Sequence, residues 1–556
     1  MVRIFVAMLM AGCFCLPSVA QDKKKGHDFD VMKNLDVFNS IYRELDMFYV
    51  DSLEAQKVIR VGIDAMLGEL DPYTVYYPEE EMEELEMMMT GKYGGIGSII
   101  RMRKDSTVII FEPYENMPAA EVGLKVGDVL LRIDDNDLKG KDTEQVSNLL
   151  RGEPGTTFAL EVQRPGEKKT REFKITRRNI KVSQIPFYGV MHGDVGYINL
   201  TGFTEGSSKD FRKAVIALKS EGAKSLVIDL RGNGGGALIE AVNIVGLFVP
   251  RSTEVVSMKG KVRSSNSTYK TKSEPLDLDI PVAVLVNGSS ASAAEIVAGA
   301  LQDLDRAVVI GAKTFGKGLV QSPRELPYNG SIKLTTSKYY IPSGRCIQAV
   351  DYKNRREGNK DRVADSLTRV FHTANGREVR DGGGIKPDVE VKHDTLANLL
   401  FYLSNDDVLT DFATDYCKSH PTIPAPKDFS ITDGEFETFK QMAVEADFKY
   451  DRLSEKRLED LKKVAEFEGY LEDAKEEFAA LEKKLVHNLE RDFDNFKDDI
   501  KKLLEMEIVK RYYFQHGTVE VSLKGDEDLE KAVEILHNQE EYKRILSSPA
   551  PQTTDK

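Results

Sequence analysis

The stretch Asn287-Gly-Ser-Ser-Ala-Ser-Ala-Ala-Glu-Ile296 decides the fold, because it joins two segments of different periodicity. The apolar run Val282–Val286 before it is typical of a buried strand. Beyond it, apolar residues recur at helical spacing, at Ile296, Val297, Ala300 and Leu301. We therefore predict a strand-to-helix turn that exposes the Ser292 hydroxyl, with the N–H groups of the helix start pointing to the same place.

A lysine between two glycines, Gly316-Lys317-Gly318, follows 25 residues after Ser292. A serine is a poor nucleophile at neutral pH and needs a base. The ordinary lysine pKa is about 10.4, and burial can lower it by up to about 3–5 units. We predict that Lys317 is shielded from water and serves Ser292 as the base. Gln321 would orient the amine without adding a charge that raises its pKa.

The glycine run in Asp229-Leu-Arg-Gly-Asn-Gly-Gly-Gly236 lies between an apolar strand pattern and a helix that begins near Ala237. Its N–H groups and the positive helix end suit a developing negative charge. A nucleotide phosphate loop is excluded because no Lys-Ser or Lys-Thr pair follows the glycines. A Rossmann fingerprint is excluded because no acidic residue ends a strand about 20 residues later.

Residues 179–395 alternate between strand and helix patterns, which predicts an α/β core with a largely parallel sheet. The strand patterns are Val195–Leu200, Ser225–Leu230, Val282–Val286, Ala307–Ile310 and Ser331–Tyr340, and the helix patterns include Ser208–Ser220 and Ala237–Phe248.

Residues 91–178 begin with a glycine loop, Gly91–Gly97, followed by short strands and one amphipathic helix, Thr143–Leu150. This order, with Pro118–Asp128 between strands, resembles a PDZ domain. Such a domain accepts an extended peptide by strand addition. The resemblance implies a carboxylate-binding loop formed by Tyr93, Gly94, Gly95, Ile96 and Gly97. It implies an apolar pocket lined by Ile96, Ile99, Val146 and Leu150, although any of these four could equally belong to the core of the domain.

The regions on either side, 21–90 and 396–556, read as helical. In the second, apolar residues recur every three or four positions from Leu471 to Leu503, which predicts one long helix. It would either pack within an accessory domain or form a coiled-coil or dimer contact.

The N-terminus, residues 1–20, has one early positive charge, an apolar stretch and the small-residue end Ser18-Val-Ala20, which predicts a secretory signal. Lipidation at Cys13 is an alternative. Both readings predict export to the periplasm or cell envelope. The formal charge of −14 disfavours a nucleic-acid binder. Beyond the signal, Cys346 and Cys417 would either form a disulfide or remain free thiols, and neither a metal site nor a cofactor is predicted.

Four motifs stand in the order found in one family: Asp229-Leu-Arg-Gly-Asn-Gly-Gly-Gly236, Ser290-Ala-Ser-Ala-Ala-Glu-Ile296, Thr314-Phe-Gly-Lys-Gly-Leu-Val-Gln321 and Tyr340-Ile-Pro-Ser-Gly-Arg-Cys-Ile-Gln348. They resemble the carboxyl-terminal processing proteases, or tail-specific proteases, of peptidase family S41. Leu70-Asp-Pro-Tyr-Thr74 and Gly384-Ile-Lys-Pro-Asp-Val389 also match. The chain departs from the family pattern at Gly234, where proline is usual, and at Ala294 and Cys346, where serine is usual.

The resemblance implies a serine endopeptidase that cleaves proteins near their C-termini. Ser292 would be the nucleophile, Lys317 the base and Gln321 the orienting residue. The oxyanion hole would combine the N–H of Ala293 with that of Gly235 or Gly236. The expected substrates are unfolded or flexible C-termini, and the expected partners are a second copy bound through the C-terminal helices and an adaptor or membrane-associated protein.

The expected fold is a multidomain α/β protein with a protease core of the ClpP/crotonase type. The predicted order is a signal peptide (1–20), an N-terminal helical region (21–90), an inserted PDZ domain (91–178), the Ser-Lys protease core (179–395) and a C-terminal helical domain (396–556). One alternative is a non-catalytic PDZ scaffold on a protease-like core. Another is a Ser-His-Asp hydrolase that uses His192.

Overall fold

The computed structural model describes residues 18–352, 362–392, 398–485 and 488–547. Residues 1–17 of the predicted signal, including Cys13, lie outside this part of the chain. The contacts divide the protein into two compact units: the described residues up to Tyr76 together with Ile332–Leu334, and Tyr77–Ser331 together with the residues from Thr335 onward.

The first unit is built mainly from two helices, α1 (Ser18–Phe48) and α2 (Ala55–Gly68). Gly62 of α2 lies against the ring of Phe38 of α1. The predicted helical character of this region is therefore confirmed. Among the helices that the structure describes, none combines the length and the hydropathy needed to cross a bilayer. A short strand, β1 (Val75–Tyr77), and helix α3 (Met82–Thr90) follow along the chain.

The PDZ domain follows. Its elements are β2 (Lys92–Gly95), β3 (Ser98–Met102), β4 (Val108–Pro113), α4 (Pro118–Glu121), β5 (Val129–Ile133), β6 (Asn136–Asp137), α5 (Thr143–Leu150), β7 (Thr157–Gln163), β8 (Arg171–Thr176) and β9 (Arg178–Lys181). The main sheet has the order β3-β4-β5-β7-β8, so β3 is an edge strand, and β2 pairs with β9. The predicted glycine loop thus contains a short strand. Helix α5 begins with a capping box between Asp142 and Gln145, which satisfies N–H groups at its start.

The protease core is built around a six-stranded sheet that packs against helices. The chain supplies β10 (Phe187–Met191), β11 (Val195–Asn199), α6 (Ser207–Ser220), β12 (Ser225–Asp229), α7 (Leu238–Val245), β13 (Glu254–Gly260), β14 (Ser267–Lys270), β15 (Val282–Val286), α8 (Ala293–Asp303), β16 (Val308–Gly311), β17 (Leu319–Glu325), β18 (Ser331–Tyr340), β19 (Val370–His372), β20 (Glu378–Arg380) and β21 (Val389–Glu390). The sheet order is β10-β11-β12-β15-β16-β21. Only the β10–β11 pair is antiparallel, so the predicted parallel sheet is confirmed.

A second, smaller sheet stands beside the core. In it β13 pairs with β14 and β18, and β17 also pairs with β18. Strands β19 and β20 form a hairpin of their own. Strand β17 begins two residues after Lys317 and contains Gln321.

The C-terminal region is helical, with α9 (Asn398–Asn405), α10 (Asp407–Ser419), α11 (Asp433–Glu445), α12 (Leu453–Glu468), α13 (Lys475–Leu485), α14 (Leu489–Asn495), α15 (Lys497–Ser522), α16 (Glu527–His537) and α17 (Gln539–Leu546). The prediction of one long helix over 471–503 is wrong. Asn488 caps the start of α14, accepting a hydrogen bond from Arg491 N–H, and Phe496 leaves helical geometry between α14 and α15. The apolar spacing is helical in each segment, and these polar and backbone interruptions divide it.

Helices α16 and α17 belong to the protease core in space. One face of the sheet packs against α6, α7 and α8. The opposite face, which includes Tyr197 and Leu285, packs against Leu529 and Leu536 of α16 and Tyr542 of α17. A parallel sheet is normally covered on both faces. The sequence predicts a separate helical domain for all residues after 395. It does not predict that α16 and α17 cover the second face of the protease sheet.

The end of the β3–β4 hairpin of the PDZ domain is tied to α10 by ion pairs. Arg103 contacts Asp411 through two bonds of 2.7 and 2.9 Å. Lys104 Nζ lies 2.5 Å from Asp406. The Lys510 amine of α15 stands 3.8 Å from the centre of the Phe111 ring.

Both cysteines in the described residues, Cys346 and Cys417, are free thiols, which decides between the two sequence alternatives.

Candidate active site

Three loops meet at one edge of the parallel sheet. The glycine run follows β12, the Ser292 turn follows β15, and the segment Thr314–Lys317 follows β16. These strands are neighbours and run parallel, so the loops emerge side by side from their carboxyl ends. Open α/β sheets bind ligands in the crevice at this edge.

Ser292 has an unusual backbone conformation, with φ 56° and ψ −113°, immediately before α8. A non-glycine residue in such a sparsely populated region carries about 1–3 kcal/mol of strain that the surroundings must offset. The Ser292 N–H donates to Glu295 Oε2 at 2.9 Å. Its carbonyl accepts a bond from the buried Tyr339 hydroxyl at 3.2 Å. The turn is thus fixed on both sides of the serine side chain.

The Glu295 carboxylate joins the serine turn to the lysine loop. It is fully buried. Oε2 accepts hydrogen bonds from the N–H groups of Ser292 and Lys317, each at 2.9 Å. Oε1 accepts bonds from the Thr314 hydroxyl at 2.5 Å and from Gly316 N–H at 2.7 Å. The backbones of Ser292 and Lys317 therefore meet on a single oxygen atom.

Two opposing effects act on the Glu295 carboxyl. Burial, the larger effect, raises its pKa above the ordinary value. The hydrogen bonds from Thr314, Lys317, Gly316 and Ser292 act in the opposite direction, because they favour the charged form. The donors are all placed to serve an ionised carboxylate, which accepts hydrogen bonds and donates none.

The glycine loop lies directly against the serine. A Cβ atom built on Gly235 would stand 2.7 Å from Ser292 Cβ and 2.9 Å from Ala293 N, so only glycine allows this approach. Gly236 is similarly confined, since a Cβ there would stand 2.2 Å from the Phe203 carbonyl oxygen. Gly235 and Gly236 also have positive φ angles, of 100° and 139°.

Asn233 anchors this loop from within. It is fully buried, its side-chain amide donates to Leu200 O at 2.7 Å, and its Oδ1 accepts the Gly235 N–H at 2.8 Å. Its backbone carbonyl accepts the N–H of Ala291 at 2.9 Å. Of the predicted oxyanion donors, Gly235 N–H is thus engaged with Asn233. Ala293 begins α8, where N–H groups have no intrahelical acceptor.

The lysine loop packs against the segment that follows β18. A Cβ on Gly316 would stand 2.4 Å from Ala349 Cβ, and one on Gly318 would stand 2.8 Å from Gln348 N. These two glycines let the backbone on either side of Lys317 approach its neighbours. The Lys317 side chain is half-buried. Phe315 N–H donates to Ser290 O at 3.0 Å, which adds a second direct link to the serine turn.

Gln321 lies four residues after Lys317, in strand β17. Its amide nitrogen donates to the Thr335 hydroxyl at 3.1 Å. This bond fixes one end of the amide, so the carbonyl end remains the side that can accept a hydrogen bond.

The chain is similar to known proteins in family profile, in sequence and in structure. A family profile described as peptidase family S41 matches residues 194–354. A PDZ domain profile matches 109–164, and a profile described as the C-terminal helical domain of a probable PDZ-protease matches 399–536. Among solved structures, the photosystem II D1 C-terminal processing protease aligns over 65% of this chain and 93% of its own, with 25% identity and a TM-score of 0.35.

Two curated relatives share a larger fraction of identical residues with this chain than that structure does. A "Probable CtpA-like serine protease" of Staphylococcus aureus (strain N315) is 34% identical over 58% of this chain and 64% of its own length. The carboxy-terminal-processing protease of Bartonella bacilliformis is 35% identical over 352 residues, which are 62% of this chain and 80% of that protein. The chain belongs to peptidase family S41. It is a serine protease of the carboxy-terminal-processing type with a PDZ domain.

The PDZ domain of this S41 protease holds the predicted recognition residues in two different settings. Ile96, Val146 and Leu150 are buried in the core of the domain, whereas Ile99 of the edge strand β3 is exposed. The carbonyls of Gly94 and Ile96 accept hydrogen bonds from Gly152 and Ala119 within the domain. The sequence could not separate core from pocket, and of the four predicted pocket residues only Ile99 is exposed.

The rest of the predicted carboxylate loop is closely packed. The Tyr93 ring lies over Gly95, where a Cβ would stand 2.7 Å from a ring carbon, and Arg151 lies above the same ring. A Cβ on Gly97 would stand 2.5 Å from Met117 Cβ. Burial raises the pKa of Tyr93, and the neighbouring Arg151 opposes this shift.

The alternative that used a histidine is not supported by the topology. His192 precedes β11, at the amino end of the parallel sheet, while Ser292 follows the carboxyl end of β15. Its ring faces Glu530 of α16, with Nε2 3.6 Å from that carboxylate. The two residues thus lie at opposite ends of the parallel strands.

Sequence reasoning missed Glu295, Asn233 and Arg231 as site residues. A local signal existed for Glu295, because an acid three residues after a serine at a helix start is typical of a capping box. Asn233 follows the arginine–glycine step of the quoted motif, but nothing local shows that it binds Gly235. Arg231 contacts Asp229 two residues away, but its other partners, Asp526 and Asp528, are distant in sequence and had no local signal.

Proposed function

We propose that Ser292 is the nucleophile of this protease and that Lys317 is its general base. The observation that carries the proposal is the Glu295 carboxylate, which holds the two backbones on one oxygen atom at the carboxyl edge of the sheet. The strained Ser292 turn and the glycines on both sides of Lys317 support the same assignment, since each serves to bring these residues close to neighbouring backbone.

In this mechanism Ser292 Oγ attacks the peptide carbonyl while its proton passes to the neutral Lys317 amine. The oxyanion that forms is stabilised by Ala293 N–H and by a glycine N–H of the 235–236 region. If the Gly235 N–H is the glycine donor, its hydrogen bond to Asn233 Oδ1 must break first. Lys317 then returns the proton to the leaving amine, and water hydrolyses the acyl-enzyme. Gln321, held by Thr335, presents its carbonyl oxygen to orient the lysine amine.

We further propose that the PDZ domain captures flexible protein C-termini. Strand β3 forms an edge of the sheet, with α5 beside it and Ile99 exposed, which suits strand addition by an extended peptide. The captured chain would then reach the Ser292 crevice. Export to the periplasm or cell envelope is proposed from the N-terminal apolar segment alone, and the intact mass of the mature protein tests whether residues 1–20 are removed or Cys13 carries a lipid.

The test of the dyad compares wild type with Ser292→Ala and Lys317→Ala on an unfolded protein substrate. Each variant should lose activity by at least about 10⁴-fold, as residues that act as one catalytic unit do. Ser289→Ala and Lys338→Ala are matched controls, because both side chains are exposed nearby, and they should remain active. Near-normal cleavage by Lys317→Ala would show that the lysine is not the base.

A pH–rate profile adds an independent measurement. If a neutral lysine is the base, kcat/KM should rise with pH through one ionisation that lies below the ordinary lysine pKa of about 10.4. A profile that is flat from neutral to alkaline pH would contradict a lysine base.

A further inference from the structure

Arg231 lies between the glycine loop and the C-terminal helices. Its Nε and Nη2 atoms contact the two oxygens of Asp229 at 3.0 and 2.7 Å. Its Nη1 atom donates to Asp526 Oδ1 and to Asp528 Oδ2, each at 2.9 Å, and Nη2 also lies 2.8 Å from Asp526 Oδ2. One guanidinium therefore holds three carboxylates, two of which come from the start of α16.

The other end of this network reaches the catalytic edge. Arg231 is followed directly by Gly232, whose N–H donates to Asn287 Oδ1 at 3.1 Å. Asn233 comes next, and Gly235, which lies against Ser292, is two residues further on. Asp229 ends β12 and also accepts the Tyr197 hydroxyl at 2.6 Å. Arg231 thus lies between the end of β12 and the glycine loop, and it contacts the last residue of that strand.

The network is largely shielded from solvent, and its charges are mutually dependent. Although burial opposes ionisation, the hydrogen bonds and charge of Arg231 hold the pKa of Asp526 below its usual range. Burial likewise disfavours the charged form of Arg231, but the carboxylates around it raise its pKa further than burial lowers it. Losing one partner in such a site leaves a buried charge without compensation.

We propose that Asp526 and Asp528 of the C-terminal helices are positioning residues of the active site, acting through Arg231 on the Gly232–Gly236 loop. This inference rests on the proposed role of Ser292 and goes beyond it, because it makes residues nearly 300 positions away in the chain part of the oxyanion support. The helices beyond α15 then serve catalysis as well as packing.

The double variant Asp526→Asn/Asp528→Asn tests the inference in the full chain. Asn retains the size of Asp and is also a good N-cap, so the Asp526 side chain can still accept Leu529 N–H at the start of α16. On fluorescently labelled casein, kcat should fall about 10- to 100-fold with little change in KM, since misplacement of a catalytic group by about 1 Å costs this much. The Asp526→Glu/Asp528→Glu variant, which keeps both charges, should recover part of the loss.

Two controls on the same helix separate positioning from packing. Glu534→Gln removes a carboxylate that pairs only with the neighbouring Lys531 among the ion pairs described, and it should leave kcat unchanged. Leu529→Ala removes a fully buried side chain, and it should lower the melting temperature while keeping kcat at temperatures well below unfolding.

The outcomes distinguish this inference from the function on which it rests. If wild type cleaves casein, Ser292→Ala does not, and the double Asn variant keeps its kcat, only the positioning role is wrong. The role is also wrong if Leu529→Ala lowers kcat as much as the double Asn variant does. If Ser292→Ala cleaves as wild type does, the proposed nucleophile and this inference both fail.

Discussion

The active-site edge and the PDZ domain are held in place by different means. Around Ser292, buried polar groups such as Glu295 and Asn233 bind backbone N–H groups of neighbouring loops. At the PDZ hairpin, the contacts with α10 include ion pairs of mixed exposure: the Lys104 side chain is 68% exposed and the Arg103 side chain 17%. From this difference we expect the geometry around Ser292 to be more rigid than the attachment of the PDZ domain.

The energetic reason lies in the surroundings of each charge. A buried polar network is costly to leave partly unsatisfied, so it has one good arrangement. Exposed ion pairs contribute about 0–1 kcal/mol each and weaken as salt increases. We therefore expect the PDZ domain to shift against α10 more easily than the loops at Ser292 shift against one another.

Among the changes that test this comparison, Glu295→Gln is expected to have the largest effect. The amide presents an NH₂ group where one carboxylate oxygen accepted two donors, and each buried donor left without an acceptor costs about 1–3 kcal/mol. We expect kcat/KM on an unfolded substrate to fall by about 100-fold or more. Glu240→Gln is the matched control, because this buried carboxylate also binds two backbone N–H groups, those of Gly206 and Ser208. It should lower the melting temperature and keep the activity.

A somewhat smaller loss is expected from Gly235→Ala. The new Cβ would press against Ser292 Cβ and the Ala291 carbonyl, and φ at this position is 100°. The displaced loop should cost about 10- to 100-fold in kcat. Gly234→Ala offers a control one residue away, since nothing lies within 4 Å of a Cβ there. Equal losses in the two variants would show that loop flexibility, and not contact with Ser292, is what matters.

The third test separates binding from folding within the PDZ domain. Ile99→Asp should weaken the binding of a peptide with an apolar C-terminal residue by about 10- to 100-fold, since burying such a side chain contributes about 1.5–3 kcal/mol. Val146→Ala, at a fully buried position, should instead destabilise the domain by about 0.5–3 kcal/mol. Calorimetric titration and thermal unfolding measure the two quantities. Unchanged peptide affinity in Ile99→Asp would place the binding groove elsewhere.

The smallest effect concerns the attachment of the PDZ domain. Arg103→Ala should favour opening of the contact with α10 by about 1 kcal/mol or less. Hydrogen exchange should then quicken in Val108–Pro113, and high salt should produce the same change in wild type. Arg132→Ala, which removes an ion pair with Glu161 inside the PDZ sheet, should leave this exchange unchanged. Equal protection in Arg103→Ala and wild type would contradict an adjustable attachment.

Much of the core could be predicted because its strands are apolar runs separated by helical patterns. The pattern of Val282–Val286 predicts only a strand, and the pattern after Ser292 predicts only a helix. Parallel strands place the loops that follow them at one edge of the sheet. The roles of Ser292 and Lys317 stay predictions, to which the structure adds their shared contact with Glu295.

The failures have physical causes of two kinds. Helical spacing continues from Leu471 to Leu503, but Asn488 and Phe496 interrupt the backbone, and periodicity does not register such breaks. The second kind is distance along the chain. Asp526 and Asp528 meet Arg231 only after the sheet and the last helices have packed, so no local pattern reveals the contact. Core and pocket positions of the PDZ helix share the same apolar residues and could not be told apart.

The layer formed by α16 and α17 has a consequence for biosynthesis. Until residues 527–546 have been translated, the sheet lacks its second cover and Tyr542 cannot reach the backbone of Val282. We therefore expect the protease core to acquire its complete packing only after residues 527–546 have been synthesised.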